Sequence, residues 1–270
     1  MELRYRFLFL DVDDTILDFT LTERAAYART LASLGIAPTP EILDRYHVIN
    51  EHWWEVFERG EAGREEILLR RHEQLFSELG VVRKSELCEE IYRTNLAIGH
   101  YFVPGAPELL HYLYDRGYEL YIASNGVAQT QYSRLESAGI GHYFREIFIS
   151  ETTGHHKPER AYFDYCFARI PGFAQDRALL IGDSLSSDIR GGKAAGIHTC
   201  WFNRKGKIAP PELRPDYEIH SLDALYDLLL NQASTYTVQA RRPKRQHSAS
   251  VLKYRSMWWP VKAPQSSAVA

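Results

Sequence analysis

Residues 7–15 read FLFLDVDDT, four apolar residues running into two aspartates, Asp11 and Asp13, with one residue between them. A short apolar run bounded by polar residues is the pattern of a strand buried on both faces. Carboxylates at its end stand at the mouth of a parallel sheet, where open α/β folds place their ligands. Aspartates at i and i+2 can face one small volume, one as nucleophile or metal ligand and the other as proton donor. A calcium loop of the D-x-D-x-[DN]-G type is excluded. Ile16 stands where glycine is needed, and Thr22 where the bidentate glutamate belongs.

Downstream of this strand the sequence turns helical as far as about residue 100. LTERAAYARTLASLG (21–35) has a threonine start and a glycine stop, and PTPEILDRYHVINEHWWEVFERG (38–60) opens at a Thr-Pro cap. REEILLRRHEQLFSELG (64–80) and KSELCEEIYRTNLAIGH (84–100) repeat the helical spacing. Residues 16–100 are therefore expected to form a helical insertion after the first strand. From 101 onward strands alternate with helices: helix 104–117, strand 118–124, helix 127–139, strand 146–150, helix 158–170, strand 177–183, helix 186–196 and strand 197–202. An edge strand and a terminal helix are expected over 216–230. Alternation of this kind predicts an α/β fold, a doubly wound parallel sheet with helices on both faces, built from residues 1–15 and 101–232.

Residues 231–270 carry seven Lys/Arg and no Asp or Glu, which leaves 25 basic and 35 acidic residues in the remainder of the chain. The body is acidic, and no nucleic-acid polymer is expected as a partner, because that needs a basic surface. The stretch 233–270 is basic, rich in Ser, Ala, Pro and Gln, and without periodicity, so it is expected to be a disordered extension. No stretch approaches the ~18 apolar residues of a membrane span. The short apolar run at the N-terminus has no small-residue cleavage site and is not expected to be a signal peptide. Cys88, Cys166 and Cys200 lie far apart with no CxxC pair. Such a set argues for a reducing, cytoplasmic setting.

Three further polar points fall at predicted strand ends: Ser124-Asn125-Gly126, Lys157-Pro158, and Asp183 with Asp188 five residues on. Each alone is bland: a turn, a loop lysine, an acidic residue favouring a helix N-terminus. Together they converge on one sheet edge. Four aspartates there repel one another unless a cation intervenes, and hard oxygen ligands select Mg²⁺. A lysine and a serine beside such a metal suit a dianionic phosphoryl group. His155 and His156 lack a third ligand and are expected to be exposed loop residues. Trp53 and Trp54 are adjacent, so one is expected in the core and the other free to line a substrate entrance. The glycines at 191 and 192 interrupt a helical pattern and suggest close approach to a neighbouring element.

The ordered set DVDDT, Ser124-Asn, Lys157-Pro and GDSLSSD resembles the four motifs of the haloacid dehalogenase-like hydrolase superfamily. The resemblance covers nearly all of residues 5–230. It implies that Asp11 is the nucleophile and Asp13 the general acid/base, that Ser124, Asn125 and Lys157 bind the substrate phosphate, and that Lys157 screens Asp11. It also implies Mg²⁺ held by Asp11, the backbone carbonyl of Asp13, and Asp183, with Asp188 as ligand or support. The insertion over 16–100 resembles the family's helical cap. LDVDDTILDF, ISETTGHHKPERAYFDY and IGDSLSSDIRGGKAAGIHTCWFN are similar to the pyrimidine 5′-nucleotidase branch. That branch implies a small phosphomonoester substrate such as UMP, dUMP or dTMP. The N-acylneuraminate-9-phosphatase branch, or another sugar-phosphate phosphatase, shares much of the pattern. A haloacid dehalogenase uses the same nucleophile without Mg²⁺, but its pattern lacks the second aspartate. Intact motifs argue against a non-catalytic binding module.

Overall fold

The structure, a computed structural model, describes residues 3–231, so the basic stretch 233–270 lies outside the described residues. β1 (Phe7–Leu10) is followed by four helices, α1 (Phe19–Ser33), α2 (Pro40–Glu58), α3 (Arg64–Leu79) and α4 (Ser85–Leu96). α5 (Ala106–Asp115) then leads to β2 (Glu119–Ser124), and α6 (Ala128–Ser137) to β3 (Phe144–Ile149). α7 (Ser150–Thr153) and α8 (Arg160–Phe167) precede β4 (Ala178–Gly182). A π-helical turn over Leu185–Ile189 runs into α9 (Arg190–Ala195), followed by β5 (His198–Phe202), β6 (Tyr217–Ile219) and α10 (Ala224–Asn231).

All six strands are parallel, in the order β3-β2-β1-β4-β5-β6. The chain winds outward from β1 to β3, then crosses back to place β4 on the other side of β1. The reversal between β1 and β4 opens a crevice at the ends of those strands. Leu10 is in register with Ile122 of β2 and Ile181 of β4, so the residues that follow all three strands leave the sheet along one edge. Strand alternation sends Leu8 and Leu10 against Leu109 and Leu113 of α5 and Leu225 of α10. It sends Phe7 and Phe9 to the opposite face, against Tyr162 and Phe163 of α8 and Ala195 of α9. This is the doubly wound, Rossmann-like α/β core that the alternating pattern predicts.

Several local expectations need correction. The predicted helix 186–196 is broken into the π-turn and α9, because the backbone N–H groups of Asp188 and Ile189 both reach the Ser184 carbonyl and the widened turn swings Asp188 inward. α1 starts at Phe19, since Asp18 caps it by accepting from the Leu21 N–H at 2.9 Å. The strand expected over 146–150 begins earlier, at Phe144, and gives way to α7 at Ser150. At Gly191 an added Cβ would lie 2.7 Å from the Phe163 ring, and at Gly192 2.6 Å from Thr199, so α9 packs closer than any side chain allows. All three cysteines are buried and free. No helix among the described residues is long and apolar enough to cross a membrane.

α1 to α4 enclose an apolar core of their own, built on Leu31, Leu75, Phe76 and Cys88. At its centre the Tyr27 and Tyr46 rings stack with centroids 3.4 Å apart, and His72 continues the stack. The chain leaves the sheet and re-enters it side by side. Leu17 pairs with Phe102, the Asp18 N–H donates to the Tyr101 carbonyl at 2.8 Å, and the Val103 N–H donates to the Ile16 carbonyl at 3.0 Å.

Burial holds the His72 imidazole down at about 4, helped by Arg71 and opposed by the Glu89 carboxylate 2.9 Å from Nε2. The folded value lies below the unfolded value of about 6.5. Its contribution to stability is therefore complete above that pH and is lost as pH falls from about 6.5 through about 4. Urea denaturation at pH 7 and pH 4.5 should show a loss of up to about 3 kcal/mol from this group. The same pair of measurements on His72→Phe should show a correspondingly shallower loss.

Candidate active site

The crevice beyond β1 and β4 is organised around one ammonium group. Lys157, 1% exposed, donates from Nζ to Asp11 Oδ1 at 2.7 Å, to Asp188 Oδ1 at 2.6 Å and to the Ala123 carbonyl at 2.6 Å. All three of its protons are thereby used. Asn125 fixes the lysine's own backbone, donating to the Lys157 carbonyl at 2.8 Å and accepting from the Lys157 N–H at 2.9 Å. Burial opposes the Lys157 charge, but Asp11 and Asp188 outweigh it and hold the ammonium above its ordinary range.

Asp11 follows β1 directly, and its N–H donates to the Ile181 carbonyl of β4 at 2.9 Å. Burial pushes its carboxyl upward, with Asp188 and Asp13 adding to the effect and Lys157 pulling the other way. Asp188 is buried on the π-turn and accepts the Ser184 N–H at 3.1 Å through Oδ2. An added Cβ at Gly182 would fall 2.2 Å from that oxygen, so the end of β4 has room for Asp188 only as glycine. Asp183 is oriented from behind by the Trp201 indole, which donates to its carbonyl at 2.8 Å. Burial and then the neighbouring Asp11 and Asp188 raise the Asp183 carboxyl well above its usual range. One oxygen each from Asp11, Asp183 and Asp188 lie within 4.8 Å of one another. Several buried carboxylates against one ammonium leave surplus negative charge, and an all-oxygen set of this kind fits a hard divalent cation.

Asp13 points elsewhere. Its carboxylate accepts from the Arg134 guanidinium and, at 2.6 Å, from Gln131 Nε2, both on α6. Gln131 Nε2 also donates to Ser124 Oγ at 2.9 Å. Ser124 accepts the Gly126 N–H at 3.1 Å as well, leaving its hydroxyl proton to be donated. From the helical side, Glu58 at the end of α2 accepts from Ser186 Oγ at 2.5 Å. Burial raises the Glu58 carboxyl, with Asp188 adding to the shift.

All seven residues singled out in the sequence line one cavity of about 440 Å³ between the sheet edge and the helices. Trp54 lines it too, while Trp53 packs in the helical core and donates to Gln74 at 2.9 Å. His155 is exposed, as expected, but His156 is not. Its ring lies 4.3 Å from that of Phe57 and its Nε2 is 2.8 Å from Glu159. The chemical neighbours missed by sequence reasoning are Gln131, Arg134 and Glu58. For the first two the available signal was their i, i+3 spacing on the helix that follows Ser124.

A family model described as haloacid dehalogenase-like hydrolase matches residues 8–202. The chain belongs to this family. Within it, the chain is similar to YfnB of Bacillus subtilis, 43% identical over 226 residues that cover 84% of this chain and 96% of YfnB. A solved structure of YfnB bound to magnesium, described as revealing interdomain movement, superposes with a TM-score of 0.81, covering 84% of this chain and 99% of that one. Pyrimidine 5′-nucleotidase PynA of Streptococcus pneumoniae is 35% identical over 83% of this chain and 95% of its own length. Pyrimidine 5′-nucleotidase YjjG of Escherichia coli is 29% identical over 84% of this chain and 99% of its own. The haloacid dehalogenase-like core is thus spanned nearly end to end by these relatives.

Replacing Lys157 by methionine keeps the length of the side chain and removes the buried charge that Asp11 and Asp188 face. Breaking a buried pair in this way should cost about 3–5 kcal/mol. Chemical denaturation of Lys157→Met at pH 7 measures the loss. A change under about 1 kcal/mol, the scale of an exposed pair, would show that the carboxylates are balanced by something else.

Proposed function

We propose that this chain is a Mg²⁺-dependent phosphomonoesterase that acts through an aspartyl-phosphate intermediate, and that its substrates are pyrimidine 5′-nucleotides such as UMP, dUMP and dTMP. The observation that carries the reaction class is the pairing of two aspartates with different surroundings in one cavity: Asp11 against Lys157, Asp13 against Gln131 and Arg134. Asp11 attacks phosphorus, and Asp13 gives a proton to the departing nucleoside oxygen. Asp13 then takes a proton from the water that hydrolyses the acyl phosphate, so the nucleophile is regenerated. Ser124 donates its remaining hydroxyl proton to a phosphoryl oxygen, Lys157 sets its positive charge beside the phosphoryl group, and Asn125 keeps the Lys157 loop in place.

Asp11, Asp183 and Asp188 are the carboxylates suited to a divalent ion, with the Asp13 carbonyl alongside. When bound, Mg²⁺ would neutralise charge on the phosphoryl oxygens and relieve the repulsion among these groups. Residues 16–100 act as a cap that closes over the cavity and excludes water. Support for a pyrimidine nucleotide comes from the names of PynA and YjjG. Asp13 and the acidic trio argue against dehalogenation, which needs neither a leaving-group acid nor a metal. A sugar-phosphate phosphatase would share the same core and differ in the cap.

Asp11→Asn should abolish turnover while leaving the thermal unfolding profile cooperative. Exhaustive chelation should abolish activity, and added Mg²⁺ should restore it. A comparison of kcat/KM across UMP, dTMP, purine monophosphates and sugar phosphates tests the substrate. Normal turnover by Asp11→Asn would remove the mechanism, and a preference for sugar phosphates would replace the substrate assignment.

A further inference from the structure

One face of α2 forms a wall of the cavity. His47, Asn50, Glu51, Trp54 and Glu58 line it at helical spacing. The last turn of α2 is fastened to the core at two points. Glu58 accepts from Ser186, on the π-turn that carries Asp188, at 2.5 Å. Phe57 sets its ring against that of His156, the residue before Lys157, with centroids 4.3 Å apart. The helix therefore meets the reacting groups with its C-terminal end, and Trp54 stands one turn back from Glu58. Four residues of α-helix advance about 6 Å along the axis, a step comparable with the depth of a sugar ring.

Packing does not account for Trp54. Its neighbour Trp53 packs against the apolar core of α1 to α4, and Trp54 does not belong to that core. It stays half-buried, and its one ring neighbour among the described residues is Phe57, which meets it at 89° with centroids 5.7 Å apart. A perpendicular neighbour covers at most one face of an indole. The other phenyl and indole rings that line the cavity are engaged. Phe19 has the Arg134 guanidinium 5.7 Å from its centroid, and buried Trp201 gives its N–H to the Asp183 carbonyl. A large apolar ring that faces a cavity gains from a flat partner, and every nucleobase has a π-face to offer. A bare sugar has none.

We infer that Trp54 is a specificity-determining residue of this site, the platform on which the base of a nucleotide stacks while its 5′-phosphate lies at Asp11. This rests on the nucleotidase reading above and goes beyond it by naming the surface that tells a nucleotide from a sugar phosphate. Stacking tolerates any base. Trp54 therefore sets the preference for nucleosides over bare sugars and leaves the choice among bases to other contacts.

The test compares kcat/KM for UMP and for ribose 5-phosphate in the wild-type protein, in Trp54→Leu and in Trp54→Phe. The wild type should prefer UMP, and the ratio of the two values should fall by about 10-fold or more in Trp54→Leu, the usual strength of base–aromatic stacking. Trp54→Phe keeps a π-face and should retain most of the preference. A second arm uses fluorescence: UMP bound to Asp11→Asn should quench tryptophan emission, ribose 5-phosphate should not, and adding Trp54→Phe should remove most of the quench. An unchanged ratio in Trp54→Leu, an equal loss in Trp54→Phe, or equal quenching by both ligands would overturn the assignment while leaving the nucleotidase reading standing. Absence of hydrolysis with both UMP and dTMP would overturn both. Should Trp54→Leu fail to fold, the fluorescence arm decides alone, a quench specific to UMP and dependent on Trp54 supporting the role and any other result removing it.

Discussion

Packing carboxylates at the mouth of a parallel sheet is electrostatically costly, and this fold meets the cost with a single buried ammonium. Lys157 Nζ lies between Asp11 and Asp188 and is tied to the Ala123 carbonyl. Three segments that are distant in sequence, the ends of β1 and β2 and the π-turn after β4, are thus fastened to one atom. The glycine at 182 and the reciprocal bonds from Asn125 make sense as its supports. The lysine leaves the trio of Asp11, Asp183 and Asp188 short of positive charge, and that surplus of negative charge suits a cation.

Much of this was legible in the sequence because strands buried on both faces write themselves as apolar runs. FLFL, YELYIAS and RALLIGD could be placed on strands, and the polar residues at their ends then had to share an edge. Helix existence was equally plain from periodicity, whereas the details of helix ends were not. Leu185–Ile189 reads as an ordinary helical start, since nothing in Ser-Ser-Asp announces that two successive N–H groups will share one carbonyl. Gln131, Arg134, Arg71 and Glu89 were hidden for a different reason. Polar residues on amphipathic helices normally face solvent. The position of α6 beside Asp13 turns Gln131 and Arg134 inward, and the packing of α3 against α4 does the same for Arg71 and Glu89.

The two aspartates that open the sequence end in different electrostatic company. Asp11 shares a buried lysine with another carboxylate, while Asp13, two residues on, is held by an amide and a guanidinium from α6. Arg134 also donates to the Gly99 carbonyl at 3.1 Å, on the segment by which the chain returns from the helices. Gln131 bridges Asp13 and Ser124. Orientation of the acid, the hydroxyl at the end of β2 and the return segment are therefore parts of one hydrogen-bonded unit.

The side-by-side exit and re-entry of the chain at Leu17 and Phe102 has an evolutionary consequence. Because the two crossing segments already touch, everything between them is topologically a side loop of the sheet. Its removal or exchange would leave ends no farther apart than a tight turn. Helices there can drift, lengthen or be traded without altering a single strand register. The strand ends and the intervening helices can thereby diverge at different rates, the first held by the sheet and the second by an apolar core of their own.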